Sequence, residues 1–207
     1  MIRNPWLPAP LTGGHYAGTS MPPRLISMML IAALAGCGAR DQTSNQPKGG
    51  SAVENATLAK LRLSSSAFQD GQPIPAQYSC DGANEAPPLS WGEPPEGTRS
   101  FALVVDDPDA PGGTFRHWGA YDIPADTRSM ATGQSIGPQA VNDFGNAGYG
   151  GPCPPQGHGP HHYHFKLFAL RADKLDVGAN ASVADVESAA QKQAVAQGGL
   201  VGIYERK

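Results

Sequence analysis

Residues 163–169 set the narrowest limit on how this chain can fold. Tyr163, Phe165, Leu167 and Ala169 alternate strictly with His164 and Lys166, after His162. A period of two puts the first set on one face of a β-strand and the second on the other. Phe101–Val105 reads as another strand, with Phe101, Leu103, Val105 and Asp107 sharing one face, and Ala102, Val104 and Asp106 the other. Phe115–Ile123 is its expected partner. There Phe115, His117, Gly119, Tyr121 and Ile123 are predicted to share a face, with Gly119 leaving space beside His117. With 26 Gly and 20 Pro among 207 residues and only 16% charged residues, the chain fits one turn-rich, mainly β domain with a tail.

The remaining segments are shorter or irregular. Leu61, Leu63 and Phe68 lead to the turn signal Asp70-Gly71 and then to Pro73 and Pro75. Leu89–Trp91 is apolar but lies between the proline pairs Pro87-Pro88 and Pro94-Pro95, which predicts an edge or crossing segment. From Arg128 to Gly151 only turn chemistry is legible, so a long surface loop is expected.

The first 36 residues read as an export signal. From Met21, Arg24 supplies a positive start and Leu25–Ala35 an apolar stretch, ending in Leu34-Ala35-Gly36-Cys37. About 11 apolar residues are too few for a transmembrane helix, which needs roughly 20. The LAGC sequence resembles a bacterial lipobox, which makes Cys37 the lipidated first residue of the exported protein and Met1–Ser20 a segment upstream of the true start. An ordinary cleaved signal with an incidental Cys37 is the alternative. Residues 37–56 are polar and read as a flexible tether, which leaves 57–207 as the domain.

Charge and cysteine count narrow the function. The net charge is −3, and removing residues 1–36 takes away Arg3 and Arg24 but no acid. With no basic cluster, nucleic acid is excluded as a partner. Lipidation of Cys37 leaves Cys80 and Cys153 as an even pair in an oxidising compartment, a pattern that suggests a disulfide, with two buried free thiols as the rival reading.

Two stretches carry the chemistry. In Val104–Tyr121 an apolar run drives into Asp106, Asp107 and Asp109, turns on proline and glycine, and returns carrying His117. Ionised carboxylates are seldom buried unless paired, so three beside a strand end point to a site or to a charged turn. Parity selects Asp107 as the acid that looks inward. In Tyr149–Leu170, Gly150, Gly151, Pro152, Pro154, Pro155 and Gly157 form a rigid loop whose glycines would let a ligand approach backbone N–H groups. His161 has core-face parity at the mouth of the following strand, whereas His162 and His164 are expected to face solvent. No carboxylate or cysteine lies at local ligand spacing from these histidines, so no metal site is expected.

Seven ordered motifs, CDGAN (80–84), PPLSW (87–91), DDPDAP (106–111), HW (117–118), YDIPADT (121–127), GPCPPQGHGPHHYHF (151–165) and LVGIYER (200–206), resemble the phosphatidylethanolamine-binding protein family, in particular its bacterial Raf kinase inhibitor-like branch. The resemblance spans Leu61–Arg206. It implies a sandwich of two antiparallel sheets with Greek-key connections, short helices and a C-terminal helix. Ser182–Gln197, with Gly198-Gly199 as a stop, suits that helix. It also implies a small anion pocket. The family's pocket residues fall on Asp107, Asp109, His117, His161 and Tyr163, with the Gly151–Pro155 loop, Gly151 and Pro154 included, as rim.

Such residue types can offer ring N–H and phenol O–H donors to a phosphate or carboxylate, while acids behind them fix tautomers and favour protonated rings. Asp107 is an alternative partner for a cationic amine. The expected function is an exported, lipid-anchored protein that binds small anionic or phosphorylated groups, a phospholipid headgroup among them, without a cofactor. Inhibition of a cell-envelope hydrolase or other protein is the second reading. Phosphoester hydrolysis by His117 and His161 is the third, disfavoured because no nucleophile stands in the motifs.

Overall fold

The computed structural model describes residues 58–207. The proposed signal, Cys37 and the tether lie outside the described residues. In chain order the elements are β1 (Ala59–Lys60), β2 (Leu63–Ser64), β3 (Gln72–Pro73), a 3-10 turn at Ala76–Tyr78, β4 (Leu89–Trp91), β5 (Ser100–Asp107), β6 (Phe115–Pro124), β7 (Ser129–Met130), β8 (His161–Leu170), α1 (Val183–Gln193) and β9 (Ala194–Tyr204). The architecture is mainly β, with two sheets and one α-helix among the described residues.

The large sheet runs β1-β9-β8-β5-β6, with β3 also on β9, and the small one runs β2-β4-β7. The four long strands pair antiparallel. Only the two-residue strands β1 and β3 run parallel to β9. Each face of the large sheet carries its own core. Phe101, Leu103, Val105, Tyr163, Phe165 and Leu167 pack with Leu63, Leu89, Trp91 and Met130 of the small sheet. Ala102, Val104, Phe168 and Leu170 pack with Val183, Val186 and Ala190 of α1. Covered on both faces, β5 is buried along its whole length. Each large apolar side chain removed from water there contributes about 1.5–3 kcal/mol before chain entropy is set against it.

Strand β6 departs from simple alternation. Val105 pairs with Trp118 but Asp106 with Arg116, so His117 is an extra residue in a β-bulge; a second bulge lies between Ala120 and Ile123. Asp122, in the second bulge, has φ 50°. Each insertion shifts the strand by one position. Trp118 and Ala120 therefore join the core shared with the small sheet, and Tyr121 the helix-side core. The expected common face of Phe115, His117, Gly119, Tyr121 and Ile123 is thus corrected at Gly119 and Tyr121, which turn to the helix side. Gly119 makes room for the helix side instead, because a Cβ there would lie 2.9 Å from Ala140 Cβ and 3.1 Å from Val183 Cγ2.

Three further expectations change. The helix ends at Gln193, and Ala194–Gln197 already belong to β9. Ser182 and Asp185 form a capping box that fixes its start. Beyond Gln193, Ala194, Ala196, Gly198 and Leu200 are alternately buried, a period of two that overrides the helical spacing of Ala190, Ala194 and Val195. Gly198 is no stop: its missing Cβ, which would lie 2.4 Å from the Leu61 carbonyl oxygen, lets a neighbouring backbone approach. Leu89–Trp91 is the middle strand of the small sheet, short enough that both proline pairs fall outside its ladder. The 128–151 segment also runs through the interior at Met130, Ala140 and Asn142. Cys80 and Cys153, 73 residues apart, form a disulfide.

Candidate functional site

The C-terminal end of β5, the start of β6 and the start of β8 converge, and the loops 142–155 close over them. Between them lies a cavity of about 190 Å³ lined by Asp107, His117 and His161, with Phe115, Phe144 and Pro154 among its walls. A larger hollow of about 250 Å³ adjoins it across Phe144 and Cys153, lined by Asn84, Asn142 and Gly151 among others. Asn142 spends its side chain on the Gly148 carbonyl and on the Phe144 and Asn146 N–H groups, and Asn84 accepts from Gly151. The two histidines and the carboxylate belong to the smaller cavity, which is therefore the candidate site.

Asp107 is 3% exposed, and each of its oxygens is bonded. Its Oδ1 accepts from the Asp109 N–H at 2.9 Å and its Oδ2 lies 2.7 Å from His161 Nδ1. A carboxylate accepts, so the ring proton sits on Nδ1 of His161. Each oxygen keeps a second lone pair, and Asp107 lines the cavity, so the arrangement is compatible with an added bond from a ligand's ammonium. His161 Nε2 in turn lies 2.9 Å from Nδ1 of His158, an exposed residue on the rim loop. The three side chains form one hydrogen-bonded chain from the strand end to the surface.

His117 is held differently. Its Nδ1 donates to the Gly150 carbonyl at 2.8 Å, and Phe115, Phe144 and Tyr163 each present an edge-on ring within 5.3 Å. Burial pulls its pKa below the usual histidine value, more than the Gly150 carbonyl and the Asp107 charge raise it. The ring is neutral at neutral pH. The expectation that acids behind both rings favour protonation therefore fails for His117, because Asp107 backs His161 instead.

Asp109, Gly151 and Tyr163 do not line the cavity. Asp109 Oδ2 accepts from both the backbone N–H and Nδ1 of His162, at 2.8 and 2.7 Å, and these bonds hold its carboxyl below the usual range. It latches the β5–β6 turn to β8. Gly151 gives its N–H to Asn84 Oδ1, and a Cβ would lie 2.4 Å from the Tyr78 carbonyl oxygen. That glycine serves packing of the loop, not the approach of a ligand. Tyr163 is fully buried behind His117. Its hydroxyl, close to Asp107, makes no hydrogen bond of good geometry among the described residues, and burial together with that carboxylate drives its pKa far above the usual phenol value. His162 is exposed and His164 half-buried. Among the described residues no three His, Cys, Asp or Glu side chains are placed to hold a metal ion.

Sequence reasoning missed Phe115, Phe144 and His158 as site residues. The Gly-His-Gly setting of His158 marked it as a loop residue, and only the fold shows which ring nitrogen it meets. Phe144, a lone large apolar side chain amid Asn, Asp and Gly, was the available signal for a wall residue.

The sequence model of the phosphatidylethanolamine-binding protein family matches residues 64–205. The chain belongs to that family. Among its similar members, an Aquifex aeolicus UPF0098 protein is 46% identical over 154 residues, covering 72% of this chain and 90% of that one. A Mycobacterium tuberculosis family protein named "Putative lipoprotein LppC" is 41% identical over 189 residues, covering 86% of this chain and 92% of its own. The crystal structure of Escherichia coli YbcL, described as a new member of the mammalian PEBP family, superposes with a TM-score of 0.68 at 36% identity, covering 72% of this chain and all of YbcL.

Proposed function

We propose that this member of the phosphatidylethanolamine-binding protein family is an exported protein, anchored by lipid on Cys37, whose cavity binds small anionic or phosphorylated groups such as a phospholipid headgroup. The observation that carries the reading is the convergence of the Asp107–His161–His158 chain and His117 on one small cavity. Asp107 orients His161 with Nε2 toward the rim, where that nitrogen, carrying a proton, can donate to an anion once His158 turns away. No Ser, Thr or free Cys lines the cavity, which supports binding over turnover. For the anchor, the LAGC sequence is joined by the similarity to LppC, whose match covers more of this chain than residues 58–207 alone supply.

The test is a titration of the full chain with phosphate, phosphoethanolamine and acetate, followed through histidine side-chain NMR signals. Saturable shifts at His117 and His161 are expected, lost in His161→Ala. In His158→Ala phosphate should bind severalfold more tightly, since no ring has to be displaced from Nε2. Silence of both histidines toward all three ligands would sink the reading.

A further inference from the structure

His158 stands at the outer end of the chain that begins at Asp107. Asp107 Oδ2 accepts from His161 Nδ1 at 2.7 Å, so the neutral His161 ring keeps its lone pair on Nε2. His158 Nδ1 lies 2.9 Å from that nitrogen and brings the proton of the bond, which leaves the lone pair of the His158 ring on Nε2. That nitrogen has no hydrogen-bond partner among the described residues, and its residue is exposed. Asp109 is paired with His162 and the Arg206 side chain with Asp81, so neither charge is spent on it. The loop presents the ring on a sharp turn. Gly157 and Gly159, on either side, have φ 71° and 88°, a region that residues with a Cβ seldom enter. The His158 N–H donates to the Pro155 carbonyl at 3.2 Å and the Gly157 N–H to the Arg206 carbonyl at 3.0 Å, which ties the turn down.

A side chain with a base in hydrogen-bond reach, the base in turn oriented by a third group, is the arrangement that activates a weak nucleophile, and histidine is one of the side chains so used. We propose that His158 is a nucleophile that accepts acyl groups from activated esters or thioesters, with His161 as its base and Asp107 as the group that orients the base. This goes beyond the anion-pocket reading and stands on a different atom. The Nε2 lone pair attacks the carbonyl carbon and forms a C–N bond; the C–O or C–S bond breaks, and the leaving group departs with its electron pair. The Nδ1 proton of the now cationic ring passes along the hydrogen bond to His161 Nε2, which leaves a neutral acyl-imidazole. Water attacking the acyl carbon leaves with it as the carboxylic acid and gives one proton to solvent, while His161 returns its proton to His158 Nδ1. The surroundings favour an acyl group over a phosphoryl one. Phosphoryl transfer relies on Lys, Arg or a metal to gather its charge, and no lysine or arginine lines the adjoining cavity. A carbonyl carries no charge before attack, and Phe115, Phe144, Pro154 and Pro155 of the cavity wall offer apolar surface to the rest of the acyl donor.

The test is p-nitrophenyl acetate with the full chain near neutral pH, nitrophenolate release being followed by absorbance and the acetylated residue by mass spectrometry of peptides. The expected result is an acetyl group on His158, placed at least about tenfold faster than on the same residue of the urea-unfolded chain. His158→Ala, a change at an exposed loop position, should lose that excess rate. His161→Gln separates base from prop: its amide N–H can still serve Asp107 and its oxygen still accept from His158. The ¹⁵N signals of His158 should therefore keep the proton on Nδ1 in that variant, yet acetylation should fall to the unfolded rate for want of a proton acceptor. Acetyl groups confined to lysines or to His162, a folded rate within about twofold of the unfolded one, or a His161→Gln rate within about twofold of wild type overturns the proposal. Release from p-nitrophenyl phosphate in place of the acetate would make the accepted group phosphoryl and overturn the acyl assignment. None of these results bears on the titration of His117 and His161 with anions, so the two readings fail separately.

Discussion

His117 and His161 face the same cavity and are almost equally buried, at 3% and 1% exposure, yet the group that holds Nδ1 differs. A carbonyl holds one and a carboxylate the other. Each acceptor fixes the proton on Nδ1, but only the carboxylate carries a charge; at His117, with a neutral carbonyl behind it, burial keeps the ring neutral. A buried histidine is thus assigned its role by the partner behind it. The same lesson separates Asp107 from Asp109, two residues apart on one turn: the first organises the cavity, and the second is an exposed latch.

The contrast is sharpened most by Asp107→Ala. It strands the Nδ1–H of His161 and the N–H of Asp109, and breaking such a buried pair should cost about 3–5 kcal/mol in urea unfolding. A loss below about 1 kcal/mol would mean that the carboxylate is no more important to its wall than the carbonyl is to the other. A smaller effect comes from pH. His117 has a lowered pKa in the fold, so the unfolded chain binds the extra proton more readily. Its contribution is fully present above about pH 6.5, the ordinary value, and is lost as the pH falls from there toward the folded value. The slope should reach at most about 1.4 kcal/mol per pH unit, and unfolding of wild type and His117→Gln at several pH values isolates it. An identical slope in the two proteins would show that the ring is not kept neutral. The smallest effect is expected for Asp109→Ala, whose pair with His162 is half-exposed: below about 1 kcal/mol, with phosphate affinity unchanged within about twofold. A large loss of affinity there would return Asp109 to the binding machinery.

Most of the fold was legible where period-two patterning ran unbroken. Both faces of β8 and of β5 follow from alternation alone, as does the inward turn of Asp107. The pairing of Cys80 with Cys153 followed from their being the even pair left in the domain. What failed did so for local reasons. A bulge leaves no mark in composition, so the faces of β6 were assigned wrongly between the two bulges, at Gly119 and Tyr121, and rightly again at Ile123. Ala194 and Val195 fit a helix and a strand equally, and only the pairing of β9 with β8 decides between them. Gly151 and Gly119 were read as openings for a ligand, when each is filled by another part of the same chain. His158 and Phe144 enter the site through loops whose paths no periodicity encodes.

The two insertions in β6 add up to a two-residue offset, and an even offset restores the facing of the strand. Phe115 pairs with Asp107 before them and Ile123 with Phe101 after them, so both ends face the same side while His117 is left with no opposite number on β5. A residue without a cross-strand partner can be exchanged without repacking a neighbour across the ladder. The chemistry of that wall is therefore held by the Gly150 carbonyl and the rings of Phe115, Phe144 and Tyr163 rather than by the ladder of the sheet behind it.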